Sequence, residues 1–396
     1  MRLLFIDVCA RNTNPTSTLI PALLRLNADV VCYGPGFVDE GELNGGISKF
    51  VEKHNGFDFH VMTLLSTEFR ESDIRYFGRY TCPSYAPETI RAFIIDVAAF
   101  LKRTNVPKIV FLTLDAYALS EKNARLIAET NGHLVAFAGG FSRSVSELDL
   151  DIFTSEEFYA RKHHLGLGRW HDVIAKYEHK FINLGHFVAE TEFNWTSLDR
   201  RRRKVAVPGQ IYTRRRAARR KLVEQGFLAR SGSFKFLMSA MDHIGMHPYP
   251  SPLWHSLYNQ TFFQNIAAAR YAYTEGSGYD RPIRKYFEIP ALGTILFCTP
   301  CAGFEKLGFA DRKNAIVVEP DAIGDVVEWL GKSPAQAQEI ADAGRKLIWD
   351  RHSLHARAEQ FARCLKSIVA GRYRGSRWDD GEFIVNECPQ KSGSSH

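Results

Sequence analysis

Near-continuous apolar runs, separated by stretches with helical spacing, constrain the fold of this chain more than any other feature. Lys108–Leu114 is the clearest run, and Arg2–Val8 and Asp29–Tyr33 are similar. Ser17–Leu26 and Glu88–Arg103 instead repeat apolar residues at helical spacing. Strands that are apolar on both faces are typical of a parallel sheet covered by helices on both sides. The first half therefore predicts an α/β, doubly wound sheet.

The same alternation restarts in the second half. We predict strands over Lys204–Val207 and Thr294–Cys298, and helices over Thr213–Gln225 and Thr261–Ala272. The break near Asn194–Arg203 separates two α/β halves of similar size. The second half therefore predicts a second sheet of the same kind.

Two domains follow from this pattern and from the length of 396 residues. We expect an N-terminal Rossmann-like domain over residues 1–195 and a C-terminal one over 196–370. Residues 371–396 are expected to form a polar, loosely attached tail. Doubly wound folds bind ligands at the carboxyl ends of their strands, so the expected site is a cleft between two facing sheets.

The net charge of +7 comes from one segment. From Arg200 to Lys221 there are 11 basic residues and no acidic one, whereas the rest of the chain has 40 basic and 44 acidic residues. We call this segment the basic island. It is open to three interpretations: a solvated linker, partial contact with a phosphate, or a surface for an anionic partner such as nucleic acid, acidic polysaccharide or anionic lipid.

Cysteine usage and the N-terminus favour a cytoplasmic chain. Seven scattered cysteines are an odd number, which is typical of free thiols in a reducing compartment. No apolar run approaches the roughly 20 residues that a membrane helix needs. Asp7 and Arg11 interrupt the apolar start, which favours a buried strand over a signal peptide.

The most specific motif is residues 280–297, DRPIRKYFEIPALGTILF. A basic residue, an aromatic, a Glu, small residues and a Gly precede a buried strand. This motif resembles the donor-binding signature of GT-B fold glycosyltransferases of the group 1 type, with the spore-maturation-type branch as the nearest match. Leu184–Phe193, Val205–Gly209 and Arg351–Arg357 are similar to other elements of these enzymes, with Ser353 in place of Thr.

The resemblance implies a nucleoside-diphosphate sugar, such as a UDP-sugar, as donor. Glu288 would accept hydrogen bonds from the ribose hydroxyls, while cations and a helix N-terminus would stabilise the leaving diphosphate. The alternative is that Glu288 and its basic neighbours form a solvated helix face. The predicted donor-binding residues are Gly209, Arg215, Arg284, Lys285, Glu288 and Gly293.

Three residues are candidates for catalysis. Asp115 follows a buried strand, where it would serve as a general base or an acceptor-binding group, or else as a helix N-cap. His186 is either a site residue or a structural histidine near the hinge. Asp280 stands eight residues before Glu288, where many retaining relatives have Glu. Asp7 is a weaker candidate for the role of Asp115, because it lies within a strand pattern.

We expect no metal, and no cofactor besides the sugar nucleotide as co-substrate. Asp149-Leu150-Asp151 has the Asp-x-Asp form that holds a metal in another glycosyltransferase fold, but here it abuts a Rossmann-like strand and is interpreted as structural. Cys298 and Cys301 form a lone Cys-x-x-Cys without a second pair, which disfavours a zinc or redox site.

The resemblance therefore predicts a metal-independent, retaining glycosyltransferase whose acceptor is a polysaccharide, a protein or a nucleic acid. Two alternatives remain open. One is a non-catalytic GT-B-like protein that binds glycans or nucleic acid. The other is a GT-B-like sugar-nucleotide epimerase or phosphorylase.

Overall fold

The computed structural model describes residues 1–8, 16–63, 85–112, 131–137, 176–209, 213–229, 252–276 and 282–388. Its first sheet is wholly parallel, with strands in the spatial order β2-β1-β3-β4-β5-β6. These strands are β1 (Arg2–Ile6), β2 (Asp29–Tyr33), β3 (Phe59–Thr63), β4 (Lys108–Leu112), β5 (Gly132–Ala136) and β6 (Phe181–Asn183). The helices described between them are α1 (Thr16–Arg25), α2 (Glu40–Gly45), α3 (Ile47–Lys53) and α4 (Pro87–Arg103).

Strand β1 shows why the apolar runs form this sheet. Leu3 and Phe5 pack in one apolar cluster with Ile20 of α1, whereas Leu4 packs in a second cluster with Val97 of α4. All of these side chains are fully buried. Since successive strand residues point to opposite faces, a strand covered by helices on both sides must be apolar throughout.

The second sheet is also parallel, in the order β10-β9-β8-β7. Its strands are β7 (Arg202–Ala206), β8 (Ala269–Thr274), β9 (Ile295–Cys298) and β10 (Ile316–Val317). The helices are α5 (Thr213–Glu224), α6 (Pro252–Ala267), α7 (Lys285–Ala291), α8 (Ile323–Lys332), α9 (Pro334–His352) and α10 (Leu354–Val369). The predicted α/β class with two parallel, Rossmann-like sheets is confirmed.

One predicted helix ends earlier than expected. The prediction of a helix over Thr261–Ala272 is wrong beyond Ala267, because β8 starts at Ala269. The alanines around this boundary fit either structure, and the Tyr271 and Tyr273 side chains, both fully buried, stabilise the strand.

The C-terminal tail is not loosely attached over residues 373–387, so that prediction is wrong. These residues form a hairpin of β11 (Tyr373–Asp379) and β12 (Glu382–Glu387), which packs on β6. The Trp378 indole donates a hydrogen bond of 2.8 Å to the carbonyl of Asn183, and the Tyr373 hydroxyl donates one of 2.6 Å to the carbonyl of Phe181. Both aromatic side chains are buried, and their burial holds the hairpin in place.

Helix α10 connects the two sheets. It belongs to the end of the second half, yet Phe361 contacts Phe111 of β4 at 5.5 Å between ring centroids. Its N-cap Ser353 accepts a hydrogen bond from the backbone N–H of Ala356, which stabilises the first turn of the helix. No helix in the described ranges has the length and apolar character that a membrane span requires.

Candidate functional site

A glycine turn opens the carboxyl edge of the second sheet. Gly209 follows β7 and has a φ of +86°. A residue with a side chain would be strained in this backbone conformation. A Cβ at this position would lie 2.8 Å from Nζ of Lys285 and 3.4 Å from Nη1 of Arg215. The missing side chain therefore lets two cations approach the same stretch of backbone.

The two cations come from different helices. Arg215 lies in the first turn of α5, directly after the glycine turn, and Lys285 begins α7. The N-terminus of α5 carries the positive end of the helix dipole at the same edge. Burial lowers the pKa of Lys285, Glu288 opposes this shift, and Arg215 adds to it. Two cations and a helix N-terminus around a glycine turn form a site for an anion.

Glu275 holds Arg215 in this position. It follows β8 at the same edge, and its carboxylate lies 3.8 Å from Nε of Arg215. Both side chains are almost fully buried. Because a buried pair is screened little by solvent, this contact fixes the guanidinium beside Gly209.

Glu288 lies one helical turn after Lys285, with its carboxylate bound to Arg284. Nη1 of Arg284 donates to Oε1 of Glu288 at 2.7 Å, and Nη2 donates to both carboxylate oxygens of Glu192 at 2.7 Å. The sequence predicts that Arg284 contacts the donor diphosphate. In the structure its guanidinium bridges two carboxylates, so it supports Glu288.

His186 lies where the two sheets approach each other. Its ring stacks on Phe137, the residue after β5, at 5.7 Å and 16°, and contacts Phe287 of α7 at 6.0 Å. Burial lowers its pKa to about 3, and the charges of Arg284 and Arg357 add to this effect. His186 is therefore neutral near pH 7. One ring nitrogen of the neutral imidazole can donate a hydrogen bond and the other can accept one.

Gly293, which we predict to bind the donor, lies apart from this group. It follows the C-terminus of α7 and precedes β9, so it lies at the amino edge of the sheet, opposite Gly209. A Cβ there would lie 2.8 Å from Arg201 and from Arg345. Gly293 serves close packing in a left-handed helix cap with a φ of +67°.

The carboxyl edge of the first sheet is described only in part. Asp115 and Asp280 lie outside the described residues, as does the Asp149–Asp151 segment. Asp7 is described, at the carboxyl end of β1, where it is 3 % exposed. Its Oδ1 accepts hydrogen bonds from the Thr63 hydroxyl at 2.9 Å and from the Val8 N–H at 2.8 Å. Burial is the main cause that raises the pKa of Asp7 to about 7.

The basic island divides into residues with different surroundings. Arg215 faces the anion site, and Arg201 is buried with its Nη1 donating to the Thr294 hydroxyl at 2.9 Å. Arg203 donates to the carbonyl of Val327 in the middle of α8, and Lys204 to that of Gly226 just beyond α5. A cation at a helix C-terminus, as Lys204 is at the end of α5, is stabilising. Much of the island thus supports the fold.

Metal-binding groups were not expected. Among the described residues no cluster of three or more His, Cys, Asp or Glu side chains is placed to hold a metal ion. Cys298 and Cys301 are buried thiols that form no disulfide with another described residue. Burial keeps the pKa of Cys298 well above its usual range, which makes its thiolate scarce.

Sequence reasoning missed Glu192 and Glu275. Glu192 belongs to the segment that carries the family resemblance, but nothing in its spacing links it to residue 284. Glu275 follows β8, whose first residues the sequence pattern predicts as the end of a helix. With the strand assigned correctly, a carboxylate at its carboxyl end would have been a candidate.

Comparison with known proteins relates the second half to a family. Residues 201–363 match the family described as Glycosyl transferase-like, over less than half of the chain. No curated protein sequence matches the chain. Among solved structures, Anabaena HepE in complex with UDP and glucose is similar at 12 % identity and a TM-score of 0.49, covering 93 % of this chain and all of that one.

Two further solved structures give similar values. Sucrose-phosphate synthase from Thermosynechococcus elongatus has 11 % identity and a TM-score of 0.48, over 94 % of this chain and 100 % of that one. A glycosyltransferase from Rickettsia africae has 11 % identity and a TM-score of 0.45, over 93 % and 98 %. These TM-scores lie below 0.5, so the family match and the site geometry carry the functional argument.

Proposed function

We propose that this chain, whose residues 201–363 belong with the glycosyl transferase-like sequences, transfers a sugar from a nucleoside-diphosphate sugar to an acceptor. One observation carries the proposal: Lys285 and Arg215 converge beside the bare backbone of Gly209 at the carboxyl edge of the second sheet. Glu288 lies on the same helix as Lys285. A diphosphate and a ribose diol need this pair of features, a cationic pocket and a nearby carboxylate.

The donor would be bound by residues 196–370. Its diphosphate would sit between Lys285, Arg215 and the N-terminus of α5, and its ribose would be held by Glu288. As the glycosidic bond breaks, negative charge grows on the diphosphate, and cations already in place stabilise that charge without reorganisation. Because these cations can take the part that a divalent metal plays in other transferases, we propose transfer without a metal.

The acceptor would be bound by residues 1–195. Asp115 remains the candidate base in these residues, and Asp7 is a described carboxyl group at the carboxyl edge of the first sheet. His186, which is neutral, would contact a hydroxyl of the sugar or the acceptor from the junction of the two halves. Retention of configuration, with Asp280 near the donor sugar, remains an expectation from the family resemblance. The GT-B arrangement and the spore-maturation-type branch are proposals on the same ground.

Donor binding tests the proposal directly. We expect titration calorimetry with UDP, GDP and ADP to detect binding of at least one of them, and Lys285→Ala to weaken it about 10- to 100-fold, as loss of a charged contact does. Lys346→Ala is the matched control, because this exposed lysine of α9 pairs with Asp350. If none of the three nucleotides binds to the wild type, the transferase assignment is wrong.

Product analysis distinguishes a transferase from a binding protein and from an epimerase. With a sugar nucleotide that binds, a transferase releases the nucleoside diphosphate, whereas a purely binding protein returns the donor intact. An epimerase would change the sugar and leave the nucleotide attached. Chromatography of the nucleotide products after incubation distinguishes these outcomes.

A further inference from the structure

A chain of three charged side chains links the segment between the two sheets to helix α7. Glu192 lies in a short turn at residues 190–192, Arg284 directly precedes α7, and Glu288 lies inside it. Arg284 donates to both carboxylates at 2.7 Å. The three side chains are 14 %, 23 % and 7 % exposed in this order, so solvent screens their contacts only partly.

Of these three charged side chains, Glu192 is the one held most firmly by the backbone. Its Oε2 also accepts a hydrogen bond of 2.7 Å from the backbone N–H of Ala189, which closes the turn on itself. The residues after this turn are bound to the second half, because the Asn194 N–H donates to the carbonyl of Ala291, the last residue of α7, at 3.1 Å. Glu192 therefore presents its carboxylate from backbone that has little freedom to move.

Arg284 is the bridge. Burial opposes its charge, but Glu288 and Glu192 more than offset this, so its pKa is raised. Without the cation, the two carboxylates that share it would repel each other. The guanidinium thus fixes where both of them point, through a planar fork that lysine cannot reproduce.

Glu288 is the member of this group that would contact a ligand. Arg284 occupies Oε1, and among the described residues no group donates to Oε2. One oxygen is therefore held and the other is left for a ligand. A carboxylate restrained in this way loses little rotamer freedom on binding, which favours affinity.

We propose that Glu192 and Arg284 are positioning residues that aim the Glu288 carboxylate at the vicinal ribose diol of the donor nucleotide. This inference rests on the proposed function, in which Glu288 binds the ribose. It adds that the segment between the two sheets, rather than the donor-binding helix alone, sets the geometry of ribose recognition.

The test compares ribonucleotides with their 2′-deoxy counterparts, which lack one of the two hydroxyls. Calorimetry is performed with UDP, GDP and ADP and their 2′-deoxy forms on the wild type, Glu192→Gln, Arg284→Lys and Glu288→Gln. We expect the wild type to prefer the ribonucleotide about tenfold, and each variant to lose most of that preference while binding the 2′-deoxy form nearly as before. Asp350→Asn removes an exposed pair elsewhere and should keep the preference.

Each result has a distinct meaning. If Glu192→Gln and Arg284→Lys weaken both nucleotides equally, the chain of charges is merely structural and the positioning role is wrong. If Glu288→Gln alone removes the preference, the carboxylate binds the diol without help from Glu192, which also overturns the inference. If the wild type binds no nucleotide, the proposed function fails and the inference with it. Glu192→Asp, which keeps the charge, should restore part of the preference and serves if Glu192→Gln unfolds.

Discussion

Replacing Arg357 by alanine is expected to lower the free energy of unfolding by about 4 kcal/mol, by the combined loss of buried hydrogen bonds and packing. The side chain is fully buried, and among the described residues no carboxylate pairs with it. Its guanidinium donates to the carbonyl of His186 at 2.6 Å, to Nδ1 of His352 at 2.7 Å and to the Gln360 side chain. It also stacks on Trp378 at 4.7 Å.

These contacts join three parts of the molecule. His186 lies between the two sheets, His352 ends α9, and Trp378 belongs to the C-terminal hairpin. Nε2 of His352 bonds to the Leu307 carbonyl at 2.8 Å, so Nδ1 is left as the acceptor and the ring is neutral. Removing the arginine deprives three acceptors of this donor, two of them buried, and opens a cavity beside the indole, which is why the expected loss is large.

Urea unfolding followed by circular dichroism measures this effect. The control is Arg363→Ala on the same helix, where the side chain is exposed and donates one hydrogen bond of 3.1 Å to the Phe383 carbonyl. We expect a loss below about 1.5 kcal/mol there. Arg357→Lys should fall between the two, because one ammonium group cannot reach all three acceptors. A loss at Arg357→Ala no larger than at Arg363→Ala would show that the contacts of Arg357 do not stabilise the fold.

Local pattern predicted the sheets well because burial on both faces leaves a strong signal in each strand. Lys108–Leu112 and Ile295–Cys298 form strands as their apolar runs predict. The hairpin was missed for a different reason. Asp380 and Gly381 both have positive φ, of +44° and +77°, and an Asp-Gly pair between two short strands is a strong hairpin signal. The polar character of the tail outweighed that signal.

The site was predictable to the extent that its chemistry is local. Gly209, Lys285 and Glu288 lie in short motifs, and the structure brings Gly209 and Lys285 together. The pairing of Arg284 with Glu192 was not predictable, because the two residues are 92 positions apart and spacing alone does not indicate such a pair. Long-range contacts of this kind depend on the packing of the whole domain.

A second large effect is expected at Asp7, where Asp7→Asn should stabilise the protein above neutral pH. The folded pKa of about 7 lies well above the 3.8 of an unperturbed aspartate, because burial disfavours the carboxylate. The unfolded chain therefore loses its proton first as pH rises. The contribution of Asp7 to stability is fully present below about pH 4 and is lost progressively up to about pH 7. Asparagine removes this titration, and its side-chain oxygen can still accept from Val8.

The difference in unfolding free energy between Asp7→Asn and the wild type should grow by about 1.4 kcal/mol per pH unit between about pH 4 and pH 7, and then level off near 4 kcal/mol. Buried histidines give the wild type the opposite trend. Burial lowers the pKa of His60 to about 4 and of His133 to about 3, so their contribution is complete above about pH 6.5 and is lost as pH falls. Because both proteins contain these histidines, their effect cancels in the difference.

The control is Asp29→Asn, which changes an exposed carboxylate on β2 and should change the free energy of unfolding by less than about 0.5 kcal/mol. If Asp7→Asn stabilised the protein equally at pH 5 and pH 8, the pKa of Asp7 would not be raised by folding, and the prediction would be wrong.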